Sequence, residues 1–326
     1  MDLQAGRLPV PEPDLAAAPE GFLVEIVPGE RIHFLDWGGP ATGGGRGSVG
    51  VLLVHGLNAT AWAWTPVARR VRRVSRTVAI DLRGHGLSDA PTTGYSEEQL
   101  ADDVIAVAEG SGLLAEASDR VVLVGHGFGA MVAAWAAGRL GRRCAGLVLV
   151  DGGWQNLAGE TGMKPDEWLR GLDEPPEVLR SMSAFLGDRR GFDPGTWDPD
   201  QEQAARSTVV EVPAGKVVPA VRPHALAGSV EAMFSYDPSG ALAELDLPVI
   251  AVMAGGQDAT DKRDALARLQ LLRRQHGRDP IRVVDLGDVG HTLMRYRPVE
   301  VSAAILGALA PADLPTGSST GNQPAR

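Results

Sequence analysis

Two turns late in the chain carry residue types that proton transfer needs. Asp258 follows the apolar run 247–253, and His291 follows the run 281–286. A histidine with a pKa near neutrality takes up a proton and returns it within one turnover. An aspartate at the other ring nitrogen fixes the tautomer and stabilises the imidazolium. These residue types would suit a general-base pair.

A glycine-rich turn lies in the middle of the chain. The apolar run 121–125 is typical of a strand buried on both faces, and the run 130–137 is rich in helix formers. The turn between them has the sequence Gly-His-Gly-Phe-Gly and is centred on Gly127. Because glycine has no side chain, nothing at this centre can attack a substrate.

Four motifs, in order, resemble those of the α/β-hydrolase superfamily. The sequence HGL at 55–57 resembles the turn after the third strand, and DLRGHGLS at 81–88 resembles the loop D-x-R-G-x-G-x-S. The turn around Gly127 is similar to the nucleophile elbow G-x-S-x-G. Asp258 and His291 then follow in the superfamily's order of nucleophile, acid and histidine. The resemblance covers residues 21–310.

The resemblance implies roles for the late turns. His291 matches the catalytic histidine, and Asp258 matches the acid that orients it. Asp151, at the end of the predicted strand that precedes the middle region, is the alternative acid. The expected catalytic pair is therefore His291 with Asp258.

The resemblance also places Gly127 where the superfamily has its nucleophile. A glycine there relieves the strain of a positive φ and removes covalent chemistry. Such a residue is either a natural loss or an engineered replacement, with serine as the expected parent. The missing hydroxymethyl group leaves space for a water that His291 could activate. The backbone amides of Leu57 and Phe128 would form the oxyanion hole.

The expected function is that of a hydrolase-like enzyme acting on a small, mostly apolar ester, lactone or related carbonyl compound. One alternative is non-hydrolytic chemistry by the same pair, as in a lyase, a cyclase or a cofactor-independent oxygenase. Another is a non-catalytic pseudoenzyme that binds a ligand. Large apolar side chains near the motifs and in the middle region are candidates for the pocket wall or for ordinary core: Trp62, Trp154, Phe185, Phe234 and Met294.

Strand-like and helical runs alternate along most of the chain. This pattern predicts an α/β fold with a mostly parallel central sheet and helices on both faces. We expect the core to comprise 21–151 and 239–310, and a helical cap to be inserted over 152–238. Residues 1–20 and 311–326 have the composition of a disordered arm and tail.

Composition narrows the class of partner. The chain has 31 basic and 41 acidic residues, a net charge of −10, which argues against nucleic acid and anionic membranes and favours a small-molecule substrate. Cys144 is the single cysteine, the N-terminus lacks a signal peptide, and no apolar run could span a bilayer. We therefore expect a cytoplasmic protein. The expected oligomeric state is a monomer or a homodimer. No metal-ligand spacing and no phosphate-binding glycine pattern is present, so no metal or cofactor is expected.

Overall fold

An eight-stranded sheet lies at the centre of this computed structural model, which describes residues 9–40, 47–172, 181–213, 215–256 and 259–309. Its spatial order is β1-β2-β4-β3-β5-β6-β9-β10, and a separate hairpin is formed by β7 and β8. The β1–β2 and β2–β4 pairs are antiparallel, and the other pairs of the large sheet are parallel. The strands are β1 Glu20–Val27, β2 Glu30–Asp36, β3 Val49–Val54, β4 Thr77–Ile80, β5 Arg120–His126, β6 Cys144–Val150, β7 Val209–Val212, β8 Lys216–Pro219, β9 Val249–Met253 and β10 Arg282–Asp285.

Helices connect most of the parallel strands. The α-helices of the described residues are α1 Thr65–Val71, α2 Glu97–Gly110, α3 Phe128–Leu140, α4 Leu157–Thr161, α5 Pro165–Arg170, α6 Met182–Phe192, α7 Pro199–Ser207, α8 Pro223–Ser235, α9 Pro238–Leu242, α10 Ala259–Gln275, α11 Leu293–Tyr296 and α12 Pro298–Leu309. In this part of the chain, no helix combines the length and the apolar character that crossing a membrane requires.

The central strand β5 shows why both faces of the sheet are covered. Successive side chains of a strand point to opposite faces. Val121 and Leu123 belong to a buried cluster with side chains of α2, α3 and α10, whereas Val122 and Val124 belong to a second cluster with α1 and α12. The run is continuously apolar because each face packs against helices. The predicted fold class is confirmed.

The segment between β6 and β9 interrupts the alternation of strands and helices. Helices α4 to α8 lie within the range 152–238, for which a helical cap was predicted. The antiparallel β7–β8 hairpin lies there as well. Its second strand ends at Pro219, which is paired with Val209 at the end of the hairpin. We refer to residues 152–238 as the cap segment.

Polar contacts join the cap segment to the core. The Arg69 guanidinium of α1 donates through Nη1 to both carboxylate oxygens of Asp200 in α7, at 2.7 Å. The hydroxyls of Thr60 and Ser207 lie 2.5 Å apart. These contacts hold α7 over the loop that follows β3.

The described part of the predicted N-terminal arm lies against α1. The Asp14 amide donates to the Arg69 carbonyl at 3.0 Å, and the Asp14 carboxylate pairs with Arg72. The Arg69 Nε donates to the Ala17 carbonyl at 3.2 Å. Residues 1–8 and the predicted tail, 311–326, lie outside the described residues.

Candidate active site

The turn at Gly127 joins β5 to α3. Gly127 has φ 52° and ψ −116°, a backbone region that favours glycine. Its amide donates to the Val150 carbonyl at 3.1 Å, and its carbonyl accepts from the Ala130 amide at 3.1 Å. The sharp strand-to-helix turn that the sequence predicted is therefore present, with glycine at its apex.

The flanking glycines have a steric reason. A Cβ atom on Gly125 would lie 2.2 Å from the Gly129 carbonyl oxygen, and one on Gly129 would lie 2.2 Å from the His55 carbonyl oxygen. Both distances are far below a van der Waals contact, so no larger residue fits at either position. Gly125 is thus required by the tightness of the turn itself, and Gly129 by its close packing against the end of β3 and the loop that follows.

His291 faces the apex of this turn. Its Nε2 lies 3.3 Å from the position that a Cβ atom on Gly127 would take. Its Nδ1 lies 2.6 Å from Oδ2 of Asp151. Since a carboxylate can only accept, Nδ1 carries the proton and Nε2 presents its lone pair towards Gly127. The predicted histidine thus lies beside the position of the missing nucleophile.

Asp151 is the described partner of His291. The sequence favours Asp258 as this partner with Asp151 as the alternative, and the contact that the structure describes is made by Asp151. Asp258 itself lies outside the described residues. Asp151 directly follows β6, which pairs in parallel with β9. Because neighbouring parallel strands end at one edge of a sheet, acids after either strand reach the same region, and the sequence pattern alone does not distinguish them.

Asp151 is buried and surrounded by donors. The Ala254 amide donates to its Oδ1 at 2.9 Å, and Nζ of Lys262 in α10 donates to the two carboxylate oxygens at 3.0 and 3.1 Å. Burial alone would raise the pKa of the Asp151 carboxyl. The hydrogen bond and charge of His291, the Ala254 amide and the Lys262 ammonium outweigh it and hold this pKa below its usual value. Asp151 therefore stays ionised at neutral pH.

Lys262 was not recognised from the sequence. Its side chain is buried, although it lies in a helix rich in charged residues, where a lysine is ordinarily solvated. A lysine within a charged helical run gives no pattern signal of burial. Its role becomes visible only when α10 packs beside the end of β6.

The two amides predicted to form an oxyanion hole lie beside Gly127. Phe128 is the first residue of α3, where a backbone N–H has no acceptor within the helix. Leu57 lies in a turn closed by the Ala59 amide donating to the Gly56 carbonyl at 3.2 Å. The Gly56 Cα is 4.0 Å from the Cβ position on Gly127. The loop that carries the Leu57 amide thus approaches the turn closely.

His55 fixes the backbone of that loop. Its Nε2 accepts from the Leu82 amide at 3.0 Å, so its Nδ1 carries the proton and donates to the Gly56 carbonyl at 2.7 Å. Burial lowers the pKa of this imidazole and keeps it neutral. These two bonds fix the backbone of the turn at 55–57.

His126 is a second residue that sequence reasoning missed. Its Nε2 donates to the His291 carbonyl at 3.1 Å, and the two rings lie 4.4 Å apart. Burial lowers the pKa of His126 to about 3. This neutral imidazole holds the loop that carries His291. The only signal of this role in the sequence is the place of His126 between two glycines of the turn. A side chain at that position is directed at the neighbouring loops.

A cavity of about 530 Å³ lies between the cap segment and the core. Among the five predicted substrate-binding residues, Phe185 lines it. Met294 and Trp154 are buried in the two core clusters. Trp62 packs edge-on against Trp37 at 6.3 Å, and Phe234 packs against Trp168 at 6.2 Å. These four side chains pack against the protein and are not among the described lining residues.

No metal site is visible in the described ranges, where no three His, Cys, Asp or Glu side chains lie close enough to hold an ion.

The strand order, the turn at Gly127 and the late histidine together define an α/β-hydrolase fold. Residues 51–304 match the alpha/beta hydrolase family, and the chain belongs to this family.

Individual relatives are hydrolases. The chain is 34% identical over 102 residues to 2-(acetamidomethylene)succinate hydrolase of Mesorhizobium japonicum, which is 31% of this chain and 34% of the relative. It is 36% identical over 124 residues to N-formylmaleamate deformylase of Pseudomonas putida, covering 38% of this chain and 42% of that one. The matches therefore span less than half the length of these curated relatives.

A solved structure extends the likeness of fold over nearly the whole chain. The crystal structure of E-2-(acetamidomethylene)succinate hydrolase superposes with a TM-score of 0.68 at 23% identity, over 90% of this chain and 99% of the other. At this level of identity the likeness establishes the fold.

Proposed function

We propose that this protein hydrolyses a small, mostly apolar ester, lactone or related carbonyl compound with water as the direct nucleophile. The observation that carries the proposal is the position of the two ring nitrogens of His291. Its Nδ1 is bonded to Asp151 at 2.6 Å, and its Nε2 lies 3.3 Å from the Cβ position of Gly127. A general base therefore faces the point from which a nucleophile would attack.

In the proposed reaction, Nε2 of His291 removes a proton from a water that lies beside Gly127. The water oxygen attacks the carbonyl carbon, and a tetrahedral intermediate forms. When the intermediate collapses, the bond to the leaving group breaks and the imidazolium returns the proton to the leaving oxygen. The products are a carboxylic acid and an alcohol, or the open hydroxy acid from a lactone. Asp151 stabilises the imidazolium and takes no proton.

Two further features support this reaction. The side chain of His291 is 58% exposed, so water reaches it from solvent. The amides of Leu57 and Phe128 flank the turn and would donate to the developing oxyanion. Each such donor contributes roughly 10²–10³-fold in rate.

Activated esters and lactones test the proposal. We expect slow turnover by the protein and its loss, by about 10²–10⁴-fold, in His291→Ala. The matched control is His276→Ala, because His276 is an exposed histidine outside the site. Turnover that survives His291→Ala, or that falls equally in both variants, would overturn the proposal.

A second candidate function is ligand binding without catalysis. Gly127 at the apex of the turn favours it, since the side chain that forms an acyl-enzyme is absent. It predicts that the protein binds but never turns over such substrates. The names of the two curated relatives, a hydrolase and a deformylase, weigh towards hydrolysis.

A further inference from the structure

The cavity between the cap segment and the core has an unusual charge balance. Arg295 of α11 lies in its wall, and no acidic side chain is found among the described lining residues. A cationic side chain in such a wall attracts anions and disfavours cations.

Arg295 is held in place by neutral groups only. Its Nε donates to Oγ1 of Thr196 at 2.6 Å, and its Nη2 donates to the Asp193 carbonyl at 2.8 Å. The guanidinium also lies 6.0 Å from the centre of the Trp197 ring. Within the described parts of the chain no carboxylate forms an ion pair with it. These neutral groups therefore orient the guanidinium, and none of the described carboxylates compensates its charge.

The rest of the wall is largely apolar. Phe185, Leu172 and Leu226 line it, together with small alanines of α7. The Arg189 guanidinium lies 5.1 Å from the centre of the Phe185 ring. Burial lowers the pKa of this guanidinium. A volume of about 530 Å³ suits a small organic molecule. The wall thus fits an apolar body that ends in an anionic group.

The cavity also adjoins the proposed reaction centre. Its lining residue Thr292 directly follows His291, and Asn58 directly follows Leu57. A molecule in the cavity can therefore extend towards the histidine and the proposed oxyanion hole. Arg295 follows His291 by four residues and lies in the short helix α11.

We propose that the cavity binds acyl substrates that carry a carboxylate, with Arg295 as its principal ligand. The reaction of these substrates rests on the proposed function, whereas their binding in the cavity does not. Arg295 forms charge-assisted hydrogen bonds to the carboxylate, and the apolar wall contacts the body of the substrate. The distal carboxylate keeps its charge throughout, and only the carbonyl near His291 reacts.

Calorimetric titration with phenylbutyrate and its neutral counterpart phenylbutanol tests the binding without turnover. We expect phenylbutyrate to bind about tenfold to a hundredfold more tightly than the alcohol. Arg295→Met, which keeps an unbranched stem beside Trp197, should abolish this preference while phenylbutanol binds as before. The matched control Arg297→Met should preserve it, since Arg297 is absent from the described wall.

Equal affinities for the two compounds, or an equal loss of preference in Arg297→Met, would overturn the inference. His291→Ala separates this test from that of the proposed function. Phenylbutyrate should still bind His291→Ala with its preference intact, because the ligand does not react. Binding with no ester hydrolysis would reject the reaction and keep the carboxylate site, whereas hydrolysis with no carboxylate preference would do the reverse.

Discussion

Gly127 retains the backbone conformation of a nucleophile elbow although no nucleophile is there. Its φ of 52° would strain any other residue, and the flanking glycines still allow the close approach of the neighbouring loop. His291 remains directed at the apex, with Asp151 behind it. The backbone of an elbow and the His291–Asp151 contact thus occur together around a glycine apex.

This arrangement predicts that Gly127→Ser gains covalent chemistry. A serine Oγ at the apex would lie within hydrogen-bond reach of Nε2 of His291, although its Cβ would require a shift of a few tenths of an ångström. The positive φ costs roughly 1–3 kcal/mol of stability. With an activated ester, we expect a burst of about one product per protein molecule and an acyl adduct in the intact mass.

Gly127→Ala is the control for that variant, because it adds the Cβ without the hydroxyl. It should show no burst, and its slow turnover should fall as the methyl group occupies the proposed water site. A burst in the alanine variant, or none in the serine variant, would contradict the geometry assigned to the turn.

The residues of the candidate site were only partly predictable from the sequence. His291, Gly127, Leu57 and Phe128 follow strand-like runs in short motifs, and motif order fixes their places. The partner acid was not settled, because acids after β6 and after β9 meet the same criterion. Burial and hydrogen-bond donors from two other elements distinguish Asp151, and neither is visible in a linear pattern.

At the scale of elements, α10 contributes through the buried Lys262. Replacing Lys262 with methionine keeps the stem but removes the cation beside Asp151. We expect the free energy of unfolding to fall by about 3 kcal/mol or more at pH 7. The wild-type Asp151 pKa is lowered, so its ionised form stabilises the fold above its usual pKa and loses this effect as pH falls through the lowered value. The difference in free energy of unfolding between the wild type and Lys262→Met should therefore decrease in strong acid.

Urea unfolding of Lys262→Met at several pH values measures this effect. Arg263→Met is the matched control, because the adjacent Arg263 pairs with Asp285 on the surface, where an ion pair contributes at most about 1 kcal/mol. Equal destabilisation by both substitutions would show that the buried contact with Asp151 has no special weight.

The packing of the elements also explains where the predicted pocket residues lie. Trp154 and Met294 are among the most buried side chains, and large apolar residues near strand ends pack into the core as readily as they line a cavity. Conversely, the wall of the cap cavity includes many small and polar residues. Such residues carry no signal of their own, since their position depends on how the cap helices lie over the core.

At the scale of the whole molecule, buried neutral histidines make stability depend on pH. Burial lowers the pKa of both His85 and His126 to about 3, from an ordinary value of 6.5. Between these values the unfolded chain binds more protons than the folded one. The free energy of unfolding should therefore fall as pH decreases from 6.5 towards 3, by up to about 1.4 kcal/mol per pH unit for each histidine.

Urea unfolding between pH 7 and pH 4 checks this slope. In His85→Asn the amide can still donate to the Arg83 carbonyl, which His85 Nδ1 contacts at 3.1 Å, but nothing titrates, so the slope should decrease. The exposed His276→Asn should leave it unchanged. An identical slope in wild type and His85→Asn would show that this histidine is not held neutral.

The measurement that tests the catalytic assignment most directly compares kcat/KM for Asp151→Asn and Asp258→Asn, with an activated ester that the wild type hydrolyses. If Asp151 orients His291 and stabilises its imidazolium, Asp151→Asn should lose about 10²–10⁴-fold. Asp258→Asn should stay within a few-fold of wild type. A large loss in Asp258→Asn with little change in Asp151→Asn would contradict the His291–Asp151 pair.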